Sequence, residues 1–224
     1  MIELRNISKS YKDGEKINDV LRNINLVIND NDFITIKGQS GGGKSTLLNI
    51  ISLLTKPTTG TIYFDYKKVN LNNEKEIEKV RRENVGLVFQ SANLISCLNS
   101  LDNILLPAYG EDRKELKEKA IKLMDRVGLK GKYKSKVKAL SGGEAQRVSI
   151  VRALINKPKV ILCDEPTGAL DQGTGKKVID LLKEIYMEEK CTIIIVTHDE
   201  KIATLGKRKF VVQGGNLIEM DWYF

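Results

Sequence analysis

Nine residues between two apolar runs constrain the fold more than any other part of the chain. Residues 38–46 read GQSGGGKST, which satisfies the pattern G-x-x-x-x-G-K-[ST]. Residues 33–36, directly before them, are typical of a strand, and residues 47–54 are typical of a helix. Glycines in such a loop let backbone N–H groups surround phosphate oxygens, and the helix N-terminus adds its positive dipole end. The segment therefore predicts a phosphate-binding loop rather than a glycine-rich turn without a ligand.

Two side chains of this phosphate loop (residues 38–46) have definite chemical uses. The ammonium group of Lys44 can reach the β- and γ-phosphates of a nucleotide, and the hydroxyl of Ser45 suits Mg²⁺. The residues expected to contact a nucleotide here are Gly38, Ser40, Gly41, Gly43, Lys44, Ser45 and Thr46.

Residues 160–165, VILCDE, predict an apolar strand that ends in two acids. The carboxyl ends of parallel strands are where ligands bind in open α/β sheets. We expect Asp164 to hold Mg²⁺, mostly through water, and Glu165 to polarise an attacking water. Alternatively the two acids cap a helix. In a chain that also carries the phosphate loop, the functional interpretation is preferred.

A second glycine-bearing segment, LSGGE at residues 140–144, precedes a predicted helix at 145–156. Ser141 and Glu144 fit the capping box S-x-x-E, which turns the Glu144 side chain back toward the Ser141 N–H. The same helix N-terminus suits an anion, but it has no lysine of its own. Two phosphate sites in one chain suggest that the second serves the nucleotide of another subunit.

The order of apolar runs predicts an α/β fold. Short β-branched runs at 85–89, 160–163 and 192–196 alternate with amphipathic stretches, as in a largely parallel sheet covered by helices. The helical spacing of Val178, Leu181, Leu182 and Ile185 predicts a helix over 172–190. We expect one domain over 1–224, with a core at 1–90 and 140–224 and a helical subdomain at about 91–139.

That subdomain has two segments of contrasting composition. Between residues 91 and 107 only Asp102 is charged, so this segment is either a partner surface or the subdomain's own core. The apolar residues concerned are Leu94, Ile95, Leu98, Ile104 and Leu105. Residues 111–139 hold 11 Lys and Arg against five acids. A solvated helix face and a lysine-rich loop at 130–138 explain them better than binding to nucleic acid or to an anionic membrane.

Composition excludes several classes of protein. The chain has 224 residues, of which 41% are hydrophobic and 29% charged, a balance typical of soluble globular proteins. Its longest strictly apolar stretch, 193–196, is far short of the ~20 residues of a membrane helix, and the N-terminus has no signal-peptide core. Three widely spaced cysteines fit reduced thiols, so a cytoplasmic location is expected. The aromatic tail at 222–224 either touches a partner or membrane surface or frays, and fraying is the preferred interpretation.

Taken in this order and spacing, the phosphate loop, LSGGE and the VILCDEPTGALD of residues 160–171 resemble the ATP-binding cassette (ABC) ATPase family over essentially the whole chain. The resemblance implies an ABC-type P-loop NTPase core with a mostly parallel sheet, an N-terminal antiparallel β portion and the helical subdomain. It also implies ATP and Mg²⁺ as ligands. Two copies would pair head-to-tail when ATP binds, so that each site combines the phosphate loop of one copy with the signature loop (residues 141–143) of the other.

The resemblance also assigns roles to single residues. The signature-loop residues Ser141, Gly142 and Gly143 would contact the γ-phosphate across the dimer. Gln90, after the strand at 85–89, would touch Mg²⁺ and sense a partner, although a lone glutamine means little without its neighbours.

Three further assignments compete with structural explanations. Asp171 would be the D-loop residue, and we expect it also to cap the 172–190 helix. His198 would contact the γ-phosphate; a solitary histidine is more often structural, but its place one βαβ unit after Glu165 favours the functional role. Tyr11 would stack on adenine, although a surface tyrosine on a strand explains it nearly as well.

Glu144 departs from the family, which more often has glutamine there. Because the capping box turns this carboxylate away from the nucleotide, we expect little loss of activity. Cys163 stands where alanine is common, and a buried strand can absorb that change in volume.

The resemblance implies an ATPase subunit that drives a separate transmembrane permease and lies on the cytoplasmic face of the cell membrane through it. The GALD loop and the VGLVFQSANLI segment are similar to the macrolide and antimicrobial-peptide exporters and the lipoprotein-release systems, so export or extraction of an amphiphile is expected. One alternative is a cell-division-type regulatory ATPase coupled to a non-transporting membrane protein. Another is a soluble cassette acting on nucleic acid, but no nucleic acid is expected, because 224 residues leave no room for tandem cassettes.

Overall fold

The computed structural model describes residues 1–14, 16–110 and 112–220, and the aromatic tail at 222–224 lies outside them. The chain divides into one unit comprising Met1–Arg81 and the residues from Thr192 onward, and a second unit comprising Arg82–Cys191. The strands are β1 Ile2–Asp13, β2 Lys16–Ile28, β3 Phe33–Gly38, β4 Thr59–Phe64, β5 Lys67–Lys68, β6 Val85–Val88, β7 Val160–Asp164, β8 Thr192–Thr197, β9 Arg208–Gln213 and β10 Asn216–Glu219. The helices are α1 Lys44–Ile51, α2 Glu74–Asn84, α3 Ser100–Leu105, α4 Arg113–Arg126, α5 Gly142–Leu154, α6 Gln172–Glu189 and α7 Glu200–Ala203.

The antiparallel sheet of the first unit contains strands whose side chains alternate between buried and exposed. In β2, Leu26 and Ile28 are buried whereas Asn25 and Val27 are exposed, the period of a half-buried strand. The sheet has the order β2-β1-β4-β5, and each neighbouring pair is antiparallel. This arrangement confirms the N-terminal antiparallel portion that the family resemblance implied.

The parallel strand pairs of the first unit centre on β3. All six residues of β8 are buried, as is typical of a strand covered on both faces. Strand β3 pairs in parallel with β8 on one side and with β9 on the other, and β10 adds an antiparallel edge. The phosphate loop therefore begins at the carboxyl end of β3, between two parallel neighbours.

The second unit contains a further parallel pair, in which Val85 to Val88 of β6 align with Val160 to Cys163 of β7. Helices α3 to α6 belong to the same unit. The predicted α/β class with a mainly parallel sheet is confirmed. The subdomain at 91–139 stays a prediction; within it lie α3, α4 and a 3-10 turn at Val137–Ala139.

Two predicted helices begin earlier than expected. Helix α1 starts at Lys44, not at residue 47, because Gly43 takes a left-handed conformation as its N-cap, and it ends at Ile51 shortly before Leu53 turns to a φ of 60°. Helix α5 starts at Gly142, not at residue 145, because Ser141 caps it. Apolar periodicity misses such glycine-rich first turns, since they carry no apolar side chain.

The apolar segment at 91–107 divides between core and surface. Ile104 is fully buried, whereas Ile95 is 41% exposed and Leu106 is 59% exposed. Leu94, Leu98 and Leu105 are half-buried. Ile104 thus belongs to the core, whereas the exposed Ile95 and Leu106 leave the partner surface a prediction. Among the described residues, no helix is at once long and apolar enough to cross a membrane.

Candidate functional site

The phosphate loop turns into α1 at Gly43, whose φ is 99°. A left-handed backbone costs a residue with a Cβ about 1–2 kcal/mol. A Cβ at this position would also lie 2.9 Å from the carbonyl oxygen of Val20, closer than van der Waals contact allows. Only glycine meets both conditions, and it lets the helix begin at the next residue, Lys44.

Lys44 is held inside the loop. Its side chain is 5% exposed, and Nζ donates hydrogen bonds to the carbonyl oxygens of Gly38 at 2.9 Å and Gln39 at 3.0 Å. The first-turn N–H groups of α1 lie at the same end of the helix, where the dipole is positive. Ser45, the next residue, is exposed and lies on this turn. Charge, backbone donors and hydroxyl therefore converge on a site that suits a phosphate group.

A cavity of about 500 Å³ opens beside this loop in the first unit. It is lined by Lys37, Gly38, Gln39, Gly42, His198, Val211, Val212, Gln213 and Gly214. His198 directly follows β8 and is exposed. Because β8 and β3 are parallel neighbours, their carboxyl ends bring the histidine and the phosphate loop to one cavity.

Tyr11 lies on β1 in the first unit and is 43% exposed. The ammonium nitrogen of Lys9 lies 4.9 Å from the centroid of its ring, within cation–π range. The ring is open to solvent, so adenine stacking stays a prediction.

The acidic pair of the second unit follows β7. Asp164 ends the strand, and Glu165 has a φ of 45°, which is uncommon for a residue other than glycine. Backbone strain of this kind is concentrated at functional sites. The alternative that these acids cap a helix is wrong, because the next helix begins at Gln172 and has Asp171 as its N-cap.

Gln90 contacts the turn that follows Glu165. A Cβ at Gly168 would lie 2.7 Å from Gln90 Nε2, so the amide occupies the space that a side chain at 168 would need. The N–H of Gly168 in turn donates to the carbonyl oxygen of Glu165 at 2.9 Å. The structure thus brings Gln90 and the turn of the acidic pair together within the second unit.

The signature loop has the predicted capping box. The Glu144 N–H donates to Ser141 Oγ at 3.2 Å, and the Ser141 N–H donates to Glu144 Oε2 at 2.8 Å. Ser141 and Gly142 are exposed, whereas Gly143 is buried against Thr174 of α6. The expected orientation of Glu144 is confirmed, and the loop still presents its backbone to solvent.

Lys132 also contacts Glu144, a pairing that the sequence did not predict. Its Nζ lies 3.1 Å from Glu144 Oε1. The hydrogen bond from the Ser141 N–H and the bond from Lys132 both favour the charged carboxylate, and they hold the pKa of Glu144 below its usual range.

Asp171 caps α6 as predicted, since its Oδ1 accepts the N–H of Thr174 at 3.0 Å. Hydrogen bonds from the hydroxyl and the N–H of Thr174 lower the pKa of Asp171. The exposed position leaves the D-loop role a prediction.

Two residues of α5, Gln146 and Arg152, have contacts that the sequence did not predict. The side chain of Gln146, 2% exposed, donates from Nε2 to the carbonyl oxygen of Phe89 at 2.8 Å. Arg152 donates from Nη1 to Asn93 O at 2.8 Å and from Nη2 to Ala92 O at 2.9 Å. Both therefore hold residues 89–93, the Q segment, which contains Gln90. The sequence does contain a signal for the burial of Gln146, because this residue lies on the same face of the helix as the buried Ile150 and Ala153.

The predicted site residues fall into two sets. Tyr11, the phosphate loop and His198 belong to the first unit, and the remaining residues belong to the second.

The phosphate loop between a parallel strand and its helix defines a P-loop nucleotide-binding protein. Residues 21–168 match the family model described as ABC transporter. The chain belongs to this family as an ATP-binding subunit, and it is an ATPase.

Relatives extend over the whole chain. The uncharacterized ABC transporter ATP-binding protein MJ0796 of Methanocaldococcus jannaschii is 44% identical over 223 residues, which are 97% of this chain and 95% of that protein. A solved structure of the cassette MJ0796, dimeric and bound to ADP and Pi after hydrolysis, is similar with a TM-score of 0.89 at 40% identity over 100% of both chains.

Some relatives are longer than this chain. The macrolide export ATP-binding/permease protein MacB of Escherichia coli is 41% identical over 220 residues, which are 97% of this chain and 34% of MacB. This chain therefore spans about a third of the length of that protein.

Proposed function

We propose that two copies of this chain pair head-to-tail around two ATP molecules and hydrolyse them to drive a separate membrane permease. The observation that carries the proposal is the pair of anion sites in one chain. The phosphate loop has a lysine, whereas the signature loop has exposed backbone at a helix N-terminus without one. A second copy is the natural source of the phosphate that the signature loop would receive.

The roles of the remaining residues follow from their positions. Glu165, at a strained turn, polarises the attacking water and accepts its proton, and His198, beside the phosphate loop, donates a hydrogen bond to the γ-phosphate. Tyr11 stacks on the adenine. Asp171, exposed at the start of α6, faces the other copy.

The donor set for a metal consists of oxygens, namely the Ser45 hydroxyl, the Asp164 carboxylate and the Gln90 amide. Oxygen donors of this kind fit Mg²⁺, which neutralises charge on the phosphates when bound. Gln90 contributes from the Q segment and senses the state of the partner protein.

A pair of variants tests the ATPase mechanism. Glu165→Gln is expected to bind ATP and to accumulate as a dimer, because the base is lost while the phosphate contacts remain. Lys44→Ala is expected to lose nucleotide affinity and to stay monomeric in ATP. Sedimentation velocity with and without Mg-ATP, together with phosphate release, measures both. Normal hydrolysis by Glu165→Gln would contradict the assignment of the base.

For the coupled process we propose export or extraction of an amphiphile. The support is the similarity to MacB, whose name describes a macrolide export protein. The exposed Ile95 and Leu106, beyond the Q segment, offer the permease an apolar contact. Through that permease the chain lies on the cytoplasmic face of the membrane.

Affinity purification of tagged Glu165→Gln protein from gently solubilised membranes in ATP tests this part. A co-purifying multi-span permease with a large extracytoplasmic domain supports export. A division-type membrane protein would instead favour the regulatory function, and ribosomes or nucleic acid alone would contradict both.

A further inference from the structure

Glu144 places a negative charge beside backbone that the proposed function assigns to phosphate. Its Oε2 accepts the Ser141 N–H at 2.8 Å, so the carboxylate remains at the first turn of α5. A nucleotide phosphate at the signature loop is also negative, and although the capping box turns the Glu144 carboxylate away from it, the two like charges repel. The Glu144 side chain is only 20% exposed, so solvent screens this repulsion incompletely.

Lys132 supplies the opposite charge from a separate turn. Its Nζ lies 3.1 Å from Glu144 Oε1, while Oε2 binds the Ser141 N–H, so the two carboxylate oxygens have different partners. The backbone of Lys132 is also fixed, since its N–H donates to Leu129 O at 3.0 Å and its carbonyl accepts the N–H of Ser135 at 3.1 Å. The ammonium group is thus carried by a hydrogen-bonded turn rather than by a loose loop.

We propose that Lys132 is a positioning residue for the signature loop: by neutralising Glu144, it keeps the backbone of residues 141–143 able to receive a nucleotide phosphate. The inference rests on the proposed function, because it takes the signature loop as the phosphate site of the opposite copy. A neutral glutamine at position 144 needs no such partner. Lys132 and Glu144 therefore act as one electrostatic unit, and each head-to-tail dimer contains two of them.

The test measures ATP-dependent dimerisation rather than hydrolysis. All variants carry Glu165→Gln, and the dimer dissociation constant is obtained in Mg-ATP by sedimentation over a range of protein concentrations. The variants are Lys132→Met, Lys132→Arg, and Lys132→Met combined with Glu144→Gln. Lys130→Met is the matched control, because Lys130 is an exposed lysine of the same segment and its loss changes the net charge equally.

Lys132→Met is expected to raise the dissociation constant about threefold to tenfold, the range for a partly desolvated charge beside an interface. Lys132→Arg keeps the charge and is expected to stay within about twofold of the parent. Adding Glu144→Gln to Lys132→Met is expected to restore dimerisation, which a folding defect would not allow. The deficit of Lys132→Met should also shrink in high salt.

Equal dissociation constants for Lys132→Met and Lys130→Met would overturn the inference, and so would a failure of Glu144→Gln to restore dimerisation. If the Glu165→Gln parent itself stays monomeric in ATP, the proposed function fails instead. The two failures are therefore distinguishable.

Discussion

The side-chain nitrogen of Gln146 lies 2.8 Å from the carbonyl oxygen of Phe89 and donates a hydrogen bond to it. This contact links the first turns of α5, which follow the signature loop, to the residue directly before Gln90. Since Gln146 is buried, no water is available to replace the bond. The bond therefore joins two segments that are distant in sequence and that the proposed function assigns to the nucleotide site.

Gln146→Glu is expected to destabilise the protein by about 1–3 kcal/mol at neutral pH, because the ionised carboxylate cannot donate to the Phe89 carbonyl. The two side chains have the same shape, so packing is preserved. Urea denaturation measures the change in the free energy of unfolding. An unchanged midpoint would show that the hydrogen bond contributes nothing.

Arg152 is expected to be less replaceable by lysine than a surface arginine. Its guanidinium binds two carbonyl oxygens of the Q segment, and burial lowers its pKa. Arg152→Lys loses the planar fork and is expected to cost about 1–2 kcal/mol, and Arg152→Ala about 2–4 kcal/mol. Amide hydrogen exchange in residues 89–93 should accelerate in both variants. Arg113→Lys, at the exposed start of α4, is the control. Equal losses of stability in Arg152→Lys and Arg113→Lys would contradict the prediction that Arg152 holds the Q segment.

Gly43→Ala is expected to weaken ATP binding at least about tenfold, because both its φ and the nearby Val20 carbonyl oppose a Cβ. Gly41→Ala is the matched comparison. Its φ of 74° is also left-handed, but a Cβ there would meet nothing within 4 Å. We expect a smaller loss at 41, measured by titration with a fluorescent ATP analogue. Equal losses would show that the contact with Val20 is unimportant.

Acid should weaken the cap of α5. The pKa of Glu144 is lowered from its ordinary value of 4.5, so the charged carboxylate stabilises the fold fully above that value. The advantage is lost as the pH falls through the lower pKa of the folded protein. The difference in melting temperature between the native chain and Glu144→Gln should therefore be constant from about pH 8 to pH 5 and should shrink below pH 4.5. Glu184→Gln, on the exposed face of α6, controls for the loss of a negative charge. A melting-temperature difference between the native chain and Glu144→Gln that grew in acid would refute the prediction.

One of the three thiols should react quickly in the folded protein. Cys97 is exposed, whereas Cys163 and Cys191 are buried. Burial raises the pKa of the Cys191 thiol to about 11, and it raises that of Cys163 as well. Titration with a chromogenic disulfide at pH 8 is expected to modify one thiol, and all three after denaturation. Cys97→Ser should abolish the fast reaction, so a second fast thiol in that variant would contradict the burial of the other two.

Local features could be predicted from the sequence because they depend on neighbours along the chain. The capping box needs only Ser141 and Glu144, three residues apart, and Asp171 caps α6 in the same way. The apolar period predicts later starts for α1 and α5 than the structure shows, since glycine and polar residues in their first turns hide the helical period.

By itself, the sequence determined the family, the phosphate loop and the helix caps, because each depends on residue types at short, fixed spacing. Only the tertiary structure decided that Gln146 and Arg152 hold the Q segment, that Gln90 packs on Gly168, and that Lys132 pairs with Glu144. These contacts join residues brought together by the packing of α5 and its neighbours. A long polar side chain has many rotamers and possible partners, and only burial in a particular packing selects one of them.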